Sequence, residues 1–243
     1  MALPVIETPT FELTLPSQDK VVKYRPFLVK EEKVLLQALE SGEDKQIKQA
    51  IKDVVSTCTF NEIDGGNIPT FDLEYVFLQI RAKSVGEIAT LRLLCPDDGE
   101  TYGNTEIDLS KVDVQVDDAH TNIIEVNDKV KIIMKYPTID SVDTNVNAKS
   151  LKTEALFSMI ANCIATIVDG EEQHQVKDYS KEELNSFLGS LNRKTFDKIN
   201  KFFETMPQLR EEVEIENPKT KVKSKIVLKG AQDFFVLPSL TTA

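Results

Sequence analysis

The spacing of apolar residues predicts that the chain begins with a β-hairpin and continues with three helices. Phe11, Leu13 and Leu15 alternate with polar residues, and the alternation resumes at Val22 and Tyr24 after a polar turn, which is typical of two paired strands. Apolar residues then recur at helical spacing over residues 30–84. We expect three helices there: residues 30–40, a helix capped by Ser41 that ends near Cys58, and a helix capped by Thr70 that ends near Ser84.

The apolar period changes to two at Val85, which indicates antiparallel strands over residues 85–136. The turn sequence Cys95-Pro96-Asp97-Asp98-Gly99 separates the first two strands. Because the residues between the apolar positions are mostly polar and acidic, we expect four or five strands with one solvent-facing acidic face. Pro137 closes this β unit, and the polar residues 138–147 mark the main domain boundary.

Helical spacing returns in the last third of the chain. The first helix of this region carries Leu156 and Ile160 and is expected to extend through Ile164 towards Ile167. Ser180 begins a capping box that opens a second helix, and Pro207 ends a third. The region up to residue 207 is therefore predicted to be helical.

A charged hairpin is predicted at residues 211–228. Pro218 suits the second position of a type I turn spanning Asn217–Thr220. Closing the hairpin at that turn sets three glutamates opposite three lysines on one face: Glu216 opposite Lys221, Glu214 opposite Lys223 and Glu212 opposite Lys225. We name these six residues the Glu–Lys strip. It is either a solvent-facing set of ion pairs or an edge to which a partner adds a strand.

These elements predict an α+β fold in two domains. The first, at residues 1–137, contains the opening hairpin, helices at about 30–84 and antiparallel strands at about 85–136. The second, at residues 148–243, is helical and ends in the charged hairpin.

The composition is that of a globular protein. Hydrophobic residues make up 41% and charged residues 28% of the chain, which disfavours general disorder. No apolar run approaches the roughly 18 residues of a transmembrane helix. The first residues lack the basic flank and apolar core of a signal peptide, so we expect the protein to be made and to act in the cytosol. Cys58, Cys95 and Cys163 are odd in number and far apart, so reduced, buried thiols are expected.

The net charge of −11 opposes attraction to nucleic acid or anionic lipid. Residues 97–143 hold most of it, with twelve acidic residues against four lysines. This stretch is either a solvated face or a docking surface for a basic partner. We predict that Asp113, Asp117 and Asp118 belong to such a surface, on a strand edge.

The sequence contains no recognisable catalytic or metal-binding constellation. His120 and His174 each lie without another ligand at metal-binding spacing, and the glycines lack phosphate-binding motifs. The turn at Cys95 resembles half of a zinc ribbon, CPxCG, but Asp98 occupies the second thiolate position. We therefore predict that the chain is not an enzyme, binds no metal or cofactor, and folds without zinc.

Several segments resemble the baseplate proteins of T-even-like contractile-tailed bacteriophages, in particular hub subunits and hub assembly proteins. The segments that carry the resemblance are LPVIETPTFELTLPS at 3–17, YRPFLVKEEK at 24–33, LQIRAKSVGE at 78–87, Cys95-Pro96, MKYP at 134–137 and LKGAQDFF at 228–235. They extend over most of the chain but include no catalytic residue. Metal binding is not carried over from the family, because Asp98 departs from the CPxCG pattern.

The resemblance implies a non-enzymatic protein that helps to assemble the central hub of the baseplate in the host cytoplasm, either retained in the virion or released as a chaperone. Its expected partners are other hub proteins, and not nucleic acid, membrane or a small-molecule substrate. One alternative is a cytosolic enzyme or regulatory protein that uses the acidic sheet as a ligand surface. Nucleic-acid binding is a third class, for which only residues 219–229 supply the beginning of a basic stripe.

Overall fold

The computed structural model describes residues 7–141 and 152–230, with the backbone alone for residues 152–155. These residues form six α-helices and eleven β-strands, which confirms the α+β class. The helices are α1 (Val29–Ser41), α2 (Asp44–Cys58), α3 (Thr70–Val85), α4 (Lys152–Asn162), α5 (Lys181–Ser190) and α6 (Arg193–Thr205). The strands are β1 (Phe11–Leu15), β2 (Lys20–Tyr24), β3 (Ile88–Leu94), β4 (Tyr102–Asp108), β5 (Asp113–Gln115), β6 (Ile123–Glu125), β7 (Val130–Met134), β8 (Ile164–Asp169), β9 (Glu172–Gln175), β10 (Gln208–Glu216) and β11 (Lys223–Lys229).

The described residues fall into two compact units. The first unit contains the residues up to 115 together with those from 208 onwards, and the second contains residues 116–207. No described helix is both long enough and apolar enough to span a bilayer.

Helix α3 is the central element of the first unit. It is buried on most of its sides, as expected for a helix whose apolar residues are not confined to one stripe. Leu78 of α3 packs with Leu91 of β3 and with Leu209 and Leu228 of the C-terminal hairpin. Strands β11, β10 and β5 form an antiparallel three-stranded sheet in that order, while β1–β2 and β3–β4 are separate hairpins.

This division differs from the predicted boundary at 137–148. The C-terminal hairpin lies with the N-terminal elements because its apolar face packs on α3 and because β10 pairs with β5. Local periodicity carries no signal for such a pairing between distant strands. Residues 142–147 of the predicted connection lie outside the described residues, and independent folding of the predicted domains stays a prediction.

The second unit is an antiparallel sheet with helices packed on it. Its strand order is β6-β7-β8-β9, and its core includes Ile132, Ile160, Ile199 and Phe202. The predicted continuous β unit at 85–136 is therefore wrong as a single sheet. Its strands belong to three sheets, since β3 and β4 form a hairpin of their own, β5 pairs with β10, and β6 and β7 join β8 and β9.

The predicted extension of a helix through Ile164 and Ile167 is also wrong. Helix α4 ends at Asn162, and Ile164–Asp169 form β8, which pairs with β7 and β9. Residues 164–168 are rich in β-branched side chains, and Asp169-Gly170 follows them, which together is a hairpin signal. Gly170, with φ 61°, lies in the connection between β8 and β9.

The helix caps agree with the prediction in one case of three. Ser180 caps α5, where its hydroxyl accepts from the Glu183 amide and the Glu183 carboxylate accepts from the Ser180 amide. Ser41 instead belongs to the last turn of α1, and the residue before α2 is Glu43. Thr70 is the first residue of α3 and follows the N-cap Pro69.

The C-terminal hairpin is confirmed, but its predicted register is wrong by two residues. The Cα partners of Glu214 and Glu216 are Lys225 and Lys223. The connection contains four residues instead of two, because the Asn217 amide donates to the Val222 carbonyl and Lys221 adopts a left-handed φ of 64°. A shift of two residues keeps every side chain on its predicted face, so Val213 and Ile215 are buried.

Candidate interaction surfaces

Hydrogen bonds to a carboxylate stabilise the turn at Cys95, which in a zinc ribbon would be stabilised by a metal ion. The Asp98 carboxylate accepts hydrogen bonds from the Glu100 and Thr101 amides, at 3.1 and 3.0 Å, and from the Thr101 hydroxyl at 2.6 Å. Hydrogen bonds from Thr101 and Glu100 hold the pKa of Asp98 far below its ordinary value. The Asp98 side chain thereby fixes the conformation of the turn by binding the backbone amides of Glu100 and Thr101. In a zinc knuckle, the bound metal fixes the turn.

Asp97 connects this turn to the C-terminal hairpin, more than a hundred residues later. Its two carboxylate oxygens lie 3.0 and 3.1 Å from Asn217 Nδ2, and one of them accepts from the Thr220 hydroxyl at 2.5 Å. Hydrogen bonds from Asn217 and Thr220 lower the pKa of Asp97. Asn217 is 1% exposed, and its side-chain oxygen accepts from the Lys219 and Thr220 amides. We name Asp97, Asn217 and Thr220 the turn junction.

The Glu–Lys strip lies on the exposed face of the same hairpin. Ion pairs join Glu212 to Lys225 at 2.6 Å, Glu214 to Lys223 at 3.0 Å and Glu216 to Lys221 at 3.8 Å. The predicted charge partners therefore meet, but they do so diagonally across the strands, and Lys221 belongs to the connection. The hydrogen bond to Glu214 raises the pKa of Lys223. All six side chains are largely exposed, which makes the strip accessible to a partner.

The predicted acidic docking residues do not share one strand. Asp113 lies on β5, at the edge of the three-stranded sheet of the first unit. Asp117 and Asp118 follow in the second unit and lie outside the strands, where Asp117 accepts from the Ala119 amide at 2.8 Å. All three are exposed. The described acids of the stretch 97–143 are spread over loops and three sheets, and Asp143 lies outside the described residues.

The two histidines belong to aromatic and hydroxyl contacts. His120 Nδ1 lies 3.0 Å from the Thr205 hydroxyl, which donates its own proton to the Lys201 carbonyl. Nδ1 must therefore carry the hydrogen, and Nε2 accepts from the Tyr136 hydroxyl at 3.0 Å. Burial lowers the pKa of His120. His174 Nδ1 contacts the Tyr179 hydroxyl at 2.7 Å.

The three cysteines are buried and unpaired. Burial raises the pKa of Cys58 and of Cys163 to about 11 and also raises that of Cys95, so these thiols are poor nucleophiles at neutral pH. Within residues 7–141 and 152–230, no three His, Cys, Asp or Glu side chains come together as a metal site.

Two concave surfaces occur on the second unit. One is a groove of about 530 Å³ between β6 and α6, with Lys131, Lys198 and Lys201 among its lining residues. The other is a mostly apolar pocket of about 340 Å³ beside α5, lined in part by Ile167, Phe187 and His174.

Sequence reasoning missed both the turn junction and the groove. The link between Asp97 and Asn217 joins turns that are distant in sequence, so no local pattern predicts it. The sequence does indicate a basic face on helix α6, since lysines recur at helical spacing at positions 194, 198 and 201. The pattern does not show which strand lies beside them.

The chain matches a family model over residues 8–236, a range that includes every helix and strand described above. The description of that family is T4 bacteriophage base plate protein. Comparisons with curated proteins and with solved structures gave no match.

Proposed function

The chain belongs to the T4 bacteriophage base plate protein family, and on that premise we propose that it is a baseplate hub protein. It acts in tail assembly through protein–protein contacts, either as a hub subunit that stays in the virion or as a chaperone that leaves. Assembly takes place in the host cytoplasm, and the partners are other hub proteins.

The observation that carries this proposal is the extent of the family match, which spans both compact units. A non-enzymatic role is supported by the family description and by the chemistry of the thiols, whose raised pKa values disfavour a thiolate nucleophile at neutral pH. Both histidines are engaged by neighbouring hydroxyl groups.

Two exposed surfaces are proposed as contact sites. One is the set Asp113, Asp117 and Asp118, which presents negative charge to a basic partner. The other is the Glu–Lys strip, beside which β11 forms an edge of its sheet and is placed for strand addition by a partner. Charge at such surfaces chiefly speeds encounter and selects the partner, while apolar contacts supply most of the affinity.

Mass spectrometry distinguishes the two forms of the proposal. Purified virions and affinity-purified baseplate intermediates from infected cells are analysed side by side, with a tail protein of the virion as the positive control. Presence in both samples identifies a subunit, and presence in the intermediates alone identifies a chaperone. Absence from both contradicts the assembly role.

The acidic contact is tested by the triple change Asp113→Asn, Asp117→Asn and Asp118→Asn. The association rate with the hub protein recovered from the intermediates should fall, and the difference from wild type should shrink as salt is added. A matched control replaces three other exposed acids, Glu40, Asp44 and Glu62, by their amides. Equal association rates for the triple variant and wild type would place the docking surface elsewhere.

A further inference from the structure

The groove between β6 and α6 concentrates positive charge on a chain whose net charge is −11. Lys198 and Lys201 line it from α6, and Lys131 lines it from β7 across the groove. Lys194 continues the α6 row by one more turn, because positions 194, 198 and 201 follow the three- and four-residue spacing of one helix face. We propose that this groove binds an acidic segment of a partner protein.

Lysines outnumber acids among the described residues that line this groove. Glu125 is the one acid among the described residues that line the groove, and its carboxylate lies 3.6 Å from Lys131. Helix α6 carries two acids, of which Asp197 is paired with Arg193 at 2.8 Å and Glu204 is exposed near the end of the helix. Lys194 and Lys201 form no ion pair with any described residue. Their charge is therefore available to carboxylates from outside the chain.

Strand β6 lies at the edge of its sheet, but some of its outward backbone groups are already hydrogen-bonded and cannot pair with an added strand. Hydrogen bonds between β6 and β7 use the backbone of residues 122, 124 and 126, so the backbone groups of Ile123 and Glu125 point away from the sheet. The Lys198 ammonium donates to the Glu125 carbonyl at 2.7 Å, and the Ile123 amide donates to the Thr121 hydroxyl at 3.2 Å. One outward backbone group of each of these two residues is thus already used, which favours recognition of a partner by side chains over addition of a further strand.

Apolar side chains also line the groove, beside the lysines. Phe202 and Ile124 also line the groove and are 2% and 3% exposed, while Ile123 is 47% exposed at the rim. An occupant with carboxylates and one apolar side chain matches both features, since carboxylates pair with the lysine row and the apolar side chain covers Ile123.

This inference adds a second kind of contact to the proposed assembly role, on which its biological meaning rests. The groove itself is tested on the isolated protein, so its failure leaves the tail-assembly experiments unaffected. Conversely, a chain absent from virions and intermediates would refute the assembly role without changing the outcome in the groove.

The test measures binding of a fluorescein-labelled synthetic peptide of glutamates with one central phenylalanine to the full chain. The variant Lys194→Glu/Lys201→Glu should weaken binding by about tenfold or more, because two attractive charges become repulsive. The matched control Lys177→Glu/Lys181→Glu changes two exposed lysines of the same unit by the same charge and should retain wild-type affinity. Circular dichroism and thermal unfolding verify folding, and Lys194→Ala/Lys201→Ala replaces the reversal variant if it is unfolded.

Several outcomes overturn the proposal. One is an equal loss in groove and control variants, which means nonspecific attraction. Another is undiminished binding of a glutamine version of the peptide. Tighter binding of a short single-stranded oligonucleotide through the same lysines assigns the groove to nucleic acid. Light scattering shows whether the wild-type protein is an oligomer that the variant Lys194→Glu/Lys201→Glu converts to a monomer. That result would assign the groove to a second copy of this chain.

Discussion

Two ion pairs in the first unit each join a carboxylate to a cationic side chain, but one is buried and the other is exposed to solvent. Arg25 and Glu31 form an ion pair at 2.9 Å, with side chains that are 12% and 8% exposed. Lys223 and Glu214 form one at 3.0 Å in the Glu–Lys strip, with side chains that are 64% and 56% exposed. The distances are nearly equal, so the length of the ion pair does not distinguish them, whereas their exposure to solvent does.

The buried pair also serves the backbone. The second oxygen of Glu31 accepts from the Leu28 amide at 2.8 Å, and Arg25 donates to the Pro26 carbonyl. The Arg25 amide donates to the Cys58 carbonyl, which connects the end of β2 to the end of α2. Burial acts to raise the pKa of Glu31, but hydrogen bonds from Arg25 and Leu28 and the charge of Arg25 outweigh it, so the pKa is lowered.

From this comparison we expect an ion pair to stabilise this fold appreciably only where water is excluded from it. A buried pair that loses one member leaves an uncompensated charge, whereas water solvates either member of an exposed pair. The predicted register rested on the exposed pairs and was wrong by two residues. Side-chain burial and the connection at Asn217 define the register instead.

The largest expected effect is therefore at Glu31. Glu31→Gln leaves the Arg25 guanidinium without its counter-charge and should lower the free energy of unfolding by about 3 kcal/mol. Urea unfolding followed by circular dichroism measures the loss. The exposed control Glu40→Gln should change the free energy of unfolding by less than about 0.5 kcal/mol.

The dependence of this loss on pH checks its cause. The folded pKa of Glu31 lies below the ordinary value of 4.5, so its stabilising contribution is complete above that pH and is lost as pH falls through the folded pKa. The difference between wild type and Glu31→Gln should therefore shrink below about pH 4.5. A difference that is constant with pH would assign the loss to packing and not to charge.

The next effect concerns Asn217, the buried amide of the turn junction, which joins the exposed Asp97 and Thr220. Asn217→Ala removes hydrogen bonds to the Asp97 carboxylate and to two backbone amides, and should cost about 2 kcal/mol of unfolding free energy. Asn104→Ala, at an exposed position of β4, is the matched control. A loss no larger than that of the control would mean that water replaces Asn217 without penalty.

The sequence predicted those elements whose signals are local. Helices α1 to α3 and the two faces of the C-terminal hairpin follow from periodicity, and the start of α5 follows from the capping box at Ser180. The spacing predicts a helix at β8 because the apolar residues of α4 and β8 form one continuous series. Its β-branched residues and Asp169-Gly170 were the better guide.

The sequence did not predict features that depend on long-range pairing. The alternation predicts Asp113 and Asp117 on one acidic face, but strand β5 pairs with β10 and the chain then enters the second unit. The partnership of Asp97 with Asn217 likewise follows from the tertiary fold. These features decide which charges are neighbours, so the candidate site was predicted less well than the secondary structure.

A smaller effect tests the connection that determines the register. Lys221 has φ 64°, a conformation that glycine adopts more readily than lysine. Lys221→Gly should therefore raise the free energy of unfolding by about 0.5 kcal/mol. Lys219→Gly, at a position without positive φ, should lower it by a similar amount. A two-residue turn with Lys221 in the strand would give destabilisation by both changes.

The smallest expected effect is at the exposed pair of Glu214 and Lys223. Glu214→Gln should lower the free energy of unfolding by about 0.3 kcal/mol, because each partner is well solvated when the other is removed. A double-mutant cycle with Lys223→Gln isolates the interaction, and its coupling energy should fall towards zero as salt is added. Nuclear Overhauser contacts in Glu214→Gln should still pair residue 214 with Lys225, as in the wild type. A coupling above about 1 kcal/mol, or a changed strand pairing, would show that exposed charges specify the hairpin, and the contrast with Arg25 and Glu31 would then fail.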